Sequence, residues 1–186
     1  MTWFLIILAI VAVIGVTIYN SLVKLRTVSR GAWADIDVQL KRRWDLIPNL
    51  VETVQGYAGH ERDTLEAVIN ARNRAMSASG PADKAQAENM LSGTLKSLFA
   101  LSEAYPQLRA VESFTSLQNT LGEIEDAVQN SRRYYNAVVR DYNIKVEQFP
   151  SVLVANAFRF QKEEFFELDE EEQRDAPEVS FGDSGS

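Results

Sequence analysis

The sequence predicts an all-α membrane protein, in which an N-terminal transmembrane helix continues into an antiparallel bundle of about four long helices. An uncharged apolar run, WFLIILAIVAVIGVTI, occupies residues 3–18. Beyond it, apolar residues recur at steps of three and four almost to Phe149, which is the spacing of one helical face. The alternating pattern of a strand does not appear, so a sheet core is not expected.

The apolar run predicts a retained membrane anchor over residues 1–20. With Thr2 and Tyr19 it reaches the roughly 17–25 residues that a helix needs to cross a bilayer. A cleaved signal peptide would need basic residues before the run and a small-x-small site after it, and neither is present. A core helix is rarely apolar on every face. The anchor residues expected to contact lipid or its interface are Trp3, Phe4, Leu5, Ile6, Ile7, Leu8 and Tyr19.

Charge predicts both the orientation of the anchor and the limits of the folded domain. Basic residues follow the run at Lys24, Arg26 and Arg30 but none precedes it, which favours an outside N-terminus and a cytoplasmic domain. Residues 163–186 have a charge of −9, whereas the whole chain has a net charge of −7, so the rest of the chain has +2. We therefore expect a folded domain over 21–167 and an acidic, disordered tail over 168–186.

The first helix of the bundle continues directly from the anchor to about Val54. Gly31 and Pro48 are expected to interrupt it, and Pro48 to kink or locally break it, because proline cannot donate the helical hydrogen bond. Gly56 and Gly59 end it.

Two further helices follow. The second is predicted over 61–79, stopped by Gly80-Pro81, with inward residues Leu65, Val68, Ile69 and Met76. The third begins near Asp83 and ends at Tyr105-Pro106, since the residue before a proline avoids the helical region. Its apolar positions are Met90, Leu91, Leu95, Leu98, Phe99 and Leu101.

The fourth helix is the longest. A near-heptad rhythm runs from Leu108 to Ile144, so the helix spans some forty residues, about 60 Å. Phe149-Pro150 closes it, and a short helical turn is expected over 151–158. Then comes FRFQKEEFF, whose aromatic residues are Phe158, Phe160, Phe165 and Phe166. They either pack over an end of the bundle or form an exposed patch for a partner or membrane.

Three stretches together carry a resemblance to a known family. They are YNSLVKLRTVSRGAWADIDVQLKRRWDLIPNLVETVQGYAGHE (19–61), LSEAYPQLRAVESFTSLQNTL (101–121), and RRYYNAVVRDYN with FPSVLVANAFRFQKEEFFE (132–167). This combination resembles the LemA family of bacterial membrane proteins. The resemblance implies one N-terminal span in the bacterial inner membrane, long antiparallel helices and no established enzymatic activity. Members occur beside genes for membrane peptidases and TPM-domain proteins, and one branch looks dedicated to magnetosome membranes, which implies a scaffold or accessory role.

The sequence lacks the motifs of the common catalytic sites. His60 is the only histidine and cysteine is absent, which excludes HExxH zincins, paired Glu-x-x-His sites and thiolate sites. The nucleophile elbow, the P-loop and the dinucleotide fingerprint are missing. Asp35, Asp37 and Asp45 lie among basic residues and indicate a salt-bridged surface. We expect no enzyme, no cofactor, no metal and no nucleic-acid partner.

Three features are candidate contacts to membrane or partner. The basic residues Lys24, Arg26 and Arg30 lie beside the membrane, whereas Lys41, Arg42 and Arg43 either bind a partner or phosphate or form surface salt bridges. The motif DLIPNLV, with Asp45, Pro48 and Asn49, is either a packed kink or a groove whose freed carbonyls accept a partner segment. The phenylalanine cluster is the third.

Two functions from different classes fit these features. The anchored bundle either self-associates through its long helical faces, as a scaffold that organises or shapes the membrane, or acts as an adaptor. The adaptor would dock a membrane protease or another envelope protein. In the scaffold the acidic tail is expected to fold back onto residues 41–43 and limit assembly.

Overall fold

The structure is a computed structural model that describes residues 1–167, and all of its regular secondary structure in that range is helical. The helices are α1 (Thr2–Gln55), α2 (Arg62–Ser77), α3 (Pro81–Ala104), α4 (Pro106–Arg109), α5 (Glu112–Glu147) and α6 (Ser151–Ala157). The predicted fold class is confirmed. The predicted acidic tail, residues 168–186, lies outside the described residues.

Helix α1 is continuous over 54 residues, about 80 Å. The prediction that Gly31 and Pro48 interrupt it was wrong, because both lie inside the helix. Its apolar N-terminal part is the one described segment long and apolar enough to cross a membrane, and none of that segment is buried against the rest of the protein. From Leu22 onward the same helix buries a stripe in the bundle.

Contacts between helices define an up-down-up-down bundle of α1, α2, α3 and α5. On α5, Tyr135 packs against Trp33 and Tyr142 lies in one cluster with Leu22, so α5 runs antiparallel to α1. Helix α3 runs parallel to α1, because Lys84 pairs with Asp37 and Glu88, one turn later, binds Arg43. The α2–α3 hairpin supplies the remaining antiparallel pair. The predicted antiparallel bundle is therefore confirmed.

The bundle has two levels. The α2–α3 hairpin covers the α1–α5 pair only from about Trp33 to the C-terminal end of α1, which we call the upper part of the bundle. Lys84 lies over the Trp33 ring at the lower edge of the hairpin. Below that level, a second core cluster of Leu22, Tyr142, Val146, Ala155 and Phe160 joins α1, α5, α6 and the segment 159–167. We call residues 159–167 the strap. Asp37, near the lower edge of the hairpin, stands about 27 Å along α1 from Tyr19.

The inward faces of α2 and α3 differ in part from prediction. Ile69 and Met76 were expected inside and are exposed, and Met90, one of the apolar positions of the third helix, is exposed as well. Alanines occupy the buried positions instead, because the stripe set by Leu65 and Val68 continues through Ala71 and Ala75 at steps of three and four. Small residues let the two helices approach closely, and the larger side chains then face outward.

Candidate functional site

The end of the apolar segment is fixed to the bundle by aromatic contacts. The Tyr19 ring centroid lies 4.8 Å from that of Phe158 and 5.7 Å from that of Phe160. The Arg26 guanidinium lies 4.8 Å from the Phe160 centroid, whereas Lys24 and Arg30 are exposed. The predicted anchor residues, which stand clear of the bundle with exposed side chains, are Trp3, Phe4, Leu5, Ile6, Ile7 and Leu8.

The second basic cluster divides into surface and core. Lys41 pairs with Asp45 at 2.8 Å on the exposed face of α1, and Arg42 donates to Gln39 at 2.9 Å. Arg43 is buried, so the interpretation of all three residues as surface charges was wrong for Arg43. The reason is periodicity, since the buried stripe of α1 passes through position 43.

Arg43 is the centre of a polar network that joins α1, α3 and α5. Its guanidinium donates to Glu88 and Ser92, each at 2.9 Å, and pairs with Glu125 at 3.0 Å. The Trp44 indole N–H donates to the other Glu88 oxygen at 2.6 Å. Burial raises the pKa of the Glu88 carboxyl, while Arg43 and the indole oppose that shift. Sequence reasoning missed Glu88, because a glutamate in a polar stretch of helix gives no sign of burial.

The carbonyl freed by Pro48 is occupied from within the protein. Proline has no N–H, so the Trp44 carbonyl loses its helical donor. Arg72 on α2 replaces that donor, with Nε 2.8 Å from the Trp44 oxygen. Pro48 and Asn49 themselves are exposed. The geometry therefore favours the packed-proline interpretation of DLIPNLV, in which the proline site holds α1 to α2.

Two asparagines of α5 bind the strap through its backbone. The Asn143 amide donates to the Glu163 carbonyl and accepts from its N–H, both at 2.9 Å. Asn136 makes the same pair with Phe166, both at 3.0 Å. Seven helical residues rise about 10.5 Å and three extended residues span about 10 Å, so the two spacings match. Ser29 on α1 also donates to the Glu163 carboxylate.

The strap separates the four phenylalanines into two inward and two outward residues. Phe160 and Phe166 are buried, and the Phe166 ring lies 5.6 Å from Trp33. Phe158 and Phe165 are exposed. Arg159, with φ of 58°, turns the chain from α6 into the strap. Two of the phenylalanines therefore pack on the bundle and two are exposed, as each of the two interpretations predicted for the whole cluster. The signal that sequence reasoning missed is the pair Asn136 and Asn143, which binds the backbone of the strap.

Tyr135 links α5 to the strap and gives the contact a pH dependence. Its hydroxyl donates to the Glu164 carbonyl at 2.9 Å. Burial, and then the charges of Glu163 and Glu164, raise the Tyr135 pKa to about 12. Since the folded pKa lies above the ordinary value, the associated stability is present below pH 10 and is lost as the pH rises toward 12.

Replacing Tyr135 by phenylalanine is expected to lower the free energy of unfolding at neutral pH by about 0.5–1.5 kcal/mol, because one hydrogen bond is lost. The difference from the wild type should shrink between pH 10 and 12, because the hydroxyl then ionises in the unfolded state and stays protonated in the folded state. Urea unfolding in detergent across that pH range measures both effects. A difference that is constant with pH would show that the hydroxyl does not hold the strap.

Within residues 1–167, no group of three or more His, Cys, Asp or Glu side chains is placed to hold a metal ion. His60 is exposed in the turn between α1 and α2. The arrangements that the structure shows are structural. They are the buried network around Arg43, the contact of Arg72 with the carbonyl freed by Pro48, and the strap bound to α5.

The sequence is similar to one family model and to several named proteins. The model of the LemA family matches residues 32–181. The magnetosome proteins MamQ 1 and MamQ 2 of Paramagnetospirillum magneticum are each 24% identical over 189 residues, covering 87% of this chain and 70% of their own. MamQ of Magnetospirillum gryphiswaldense is 22% identical over 174 residues, covering 80% of this chain and 64% of its own. Because the family model covers most of the sequence, the chain belongs to the LemA family.

Proposed function

We propose that this protein is a non-enzymatic scaffold that is anchored in the bacterial inner membrane, self-associates there and organises the membrane. The apolar part of α1 crosses the bilayer with its N-terminus outside, and the basic residues after it hold the bundle on the cytoplasmic side. Support comes from the bare apolar segment of α1 and from relatives that are named as magnetosome proteins.

The observation that carries self-association is the uneven covering of the α1–α5 pair. Successive helical residues are rotated by about 100°, so Asn136 and Asn143 lie at one edge of the buried stripe of α5. The strap covers that edge. Apolar residues at the opposite edges of the two helices form what we call the open flank: Leu25, Val28, Tyr134 and Val138.

A second copy of the chain fits the open flank. Leu25 packs partly against the second core cluster, Val28 and Val138 are half-buried and Tyr134 is 54% exposed, so the flank is apolar and only partly covered. Two long antiparallel helices present a straight ridge, and a matching ridge from a second anchored copy would lie parallel to it in the same membrane. Anchoring also raises the local concentration of copies, which favours association through a modest interface.

The mass of the full-length protein in a mild detergent, measured by light scattering, tests the proposal. The wild type should form an oligomer, and Tyr134→Arg should dissociate it because a charge then lies in the interface. Met90→Arg is the matched control, since Met90 is 56% exposed on α3, away from the open flank. A monomeric wild type would contradict the scaffold and favour an adaptor that docks another membrane protein.

A further inference from the structure

We propose that the turn between α5 and α6 is a second membrane-contact site, whose side chains enter the headgroup region of the bilayer that α1 crosses. We call Phe149, Leu153 and Phe158 the corner. The proposal rests on the anchoring part of the proposed function but not on self-association. It adds a lipid-binding surface of the folded domain to the transmembrane helix.

The corner exposes three large apolar side chains at one end of the bundle. Phe149 is 79% exposed, and Leu153 and Phe158 are each 62% exposed. They follow one another around a single short helix, with Phe149 before α6, Leu153 within it and Phe158 at its end. Exposed apolar residues that are grouped in this way mark a contact to a partner or to lipid.

Contacts between α6 and α1 favour lipid as the partner of the corner. Ala155 and Val154 of α6 pack in the same cluster as Leu22, Ile18 and Tyr19. Phe158 lies against the Tyr19 ring, which ends the apolar segment. The corner is therefore held at the level where α1 leaves the bilayer, and side chains exposed at that level meet the membrane interface before they meet a soluble partner.

The charges around the corner match an anionic membrane surface. Residues 18–30 and 144–162 carry six basic residues and one acidic residue, Glu147. Glu147 is paired with Lys162 at 2.8 Å. Arg159, which directly follows Phe158, and Lys24 on α1 are both exposed. Segments that lie in the membrane interface typically combine aromatic and basic residues at the same depth. Their rings enter the headgroup region and their cations bind lipid phosphates.

Two contacts restrict the bundle more than one helix can. A single span leaves α1 free to tilt in the bilayer, whereas a second contact at the corner limits that tilt. The open flank would then face along the membrane plane, where a neighbouring copy can reach it.

Fluorescence quenching by lipid tests the corner directly, since the chain contains no cysteine and single cysteines can be labelled at will. Full-length Leu153→Cys and Phe158→Cys carry an environment-sensitive fluorophore. Each is reconstituted into vesicles of phosphatidylethanolamine and phosphatidylglycerol that contain a nitroxide lipid. The nitroxide lies near the glycerol end for the labels at positions 38, 153 and 158, and near the end of the acyl chain for the label at position 11. Val11→Cys, in the apolar segment, reports on anchoring. Val38→Cys, at a residue 57% exposed on α1 above the corner, is the matched control.

The labels at positions 153 and 158 should be quenched several-fold more strongly than the label at position 38. Quenching at position 11 without quenching at 153 and 158 would overturn the corner contact and leave the anchor intact. Equal quenching at 38 and 153 would overturn it too, because the whole bundle would then lie on the lipid. No quenching at position 11 would overturn the anchor itself, and the corner contact with it.

Discussion

Replacing Arg43 by alanine is expected to destabilise the bundle by about 3–5 kcal/mol, because it leaves the Glu88 carboxylate buried without its cation. Glu88 is fully buried and belongs to α3, whereas Arg43 belongs to α1, so the loss acts on the contact between the two helices. Chemical denaturation of the full-length protein in detergent, followed by circular dichroism, measures the change.

Two variants separate the buried charge from the general loss of a side chain. Arg43→Met with Glu88→Gln should recover much of the stability, since both charges are removed and the glutamine oxygen still accepts from the Trp44 indole. Lys41→Ala removes the exposed pair with Asp45 and should cost less than about 1 kcal/mol. Equal losses for Arg43→Ala and Lys41→Ala would show that the network does not stabilise the bundle.

Replacing Phe166 by alanine is expected to destabilise the protein by about 3–5 kcal/mol and to release the end of the strap. The Phe166 side chain is 0% exposed, and its ring faces Trp33. The variant should therefore also change the tryptophan fluorescence of the folded protein. Unfolding in urea and the emission spectrum in native conditions measure the two effects.

The neighbouring residue supplies the control. Phe165 is 39% exposed, so Phe165→Ala loses much less buried surface and should cost less than about 1.5 kcal/mol. If both substitutions had the same small effect, the strap would not be part of the core.

The course of the helices could be predicted from the sequence, because it follows from apolar periodicity and from prolines at helix ends. Tyr105-Pro106 ends α3 as expected. Pro48 shows where a local rule fails. Its missing hydrogen bond predicts a break, but α1 is continuous, and the freed carbonyl accepts from Arg72, which lies 28 residues away in the sequence. A distant partner of this kind has no local signature.

The candidate contacts were predictable only in part, for the same reason. Arg43 belongs to a run of three basic residues, which is typical of an exposed surface. Only its position on the buried stripe of α1 indicates that it is buried. The sequence of the strap is polar apart from its phenylalanines and does not itself indicate where the strap packs. Its position depends on Asn136 and Asn143, whose spacing matches an extended chain. That match is visible in the sequence only when the two segments are already known to be neighbours.

Crosslinking in isolated membranes tests self-association through the open flank most directly. Full-length Tyr134→Cys treated with a short bismaleimide should give a dimer, since the flank of one copy lies against that of the next. Met90→Cys, at a residue of nearly equal exposure on α3, should remain monomeric. A monomer at position 134, or equal dimer yields at both positions, would contradict a scaffold built on this flank.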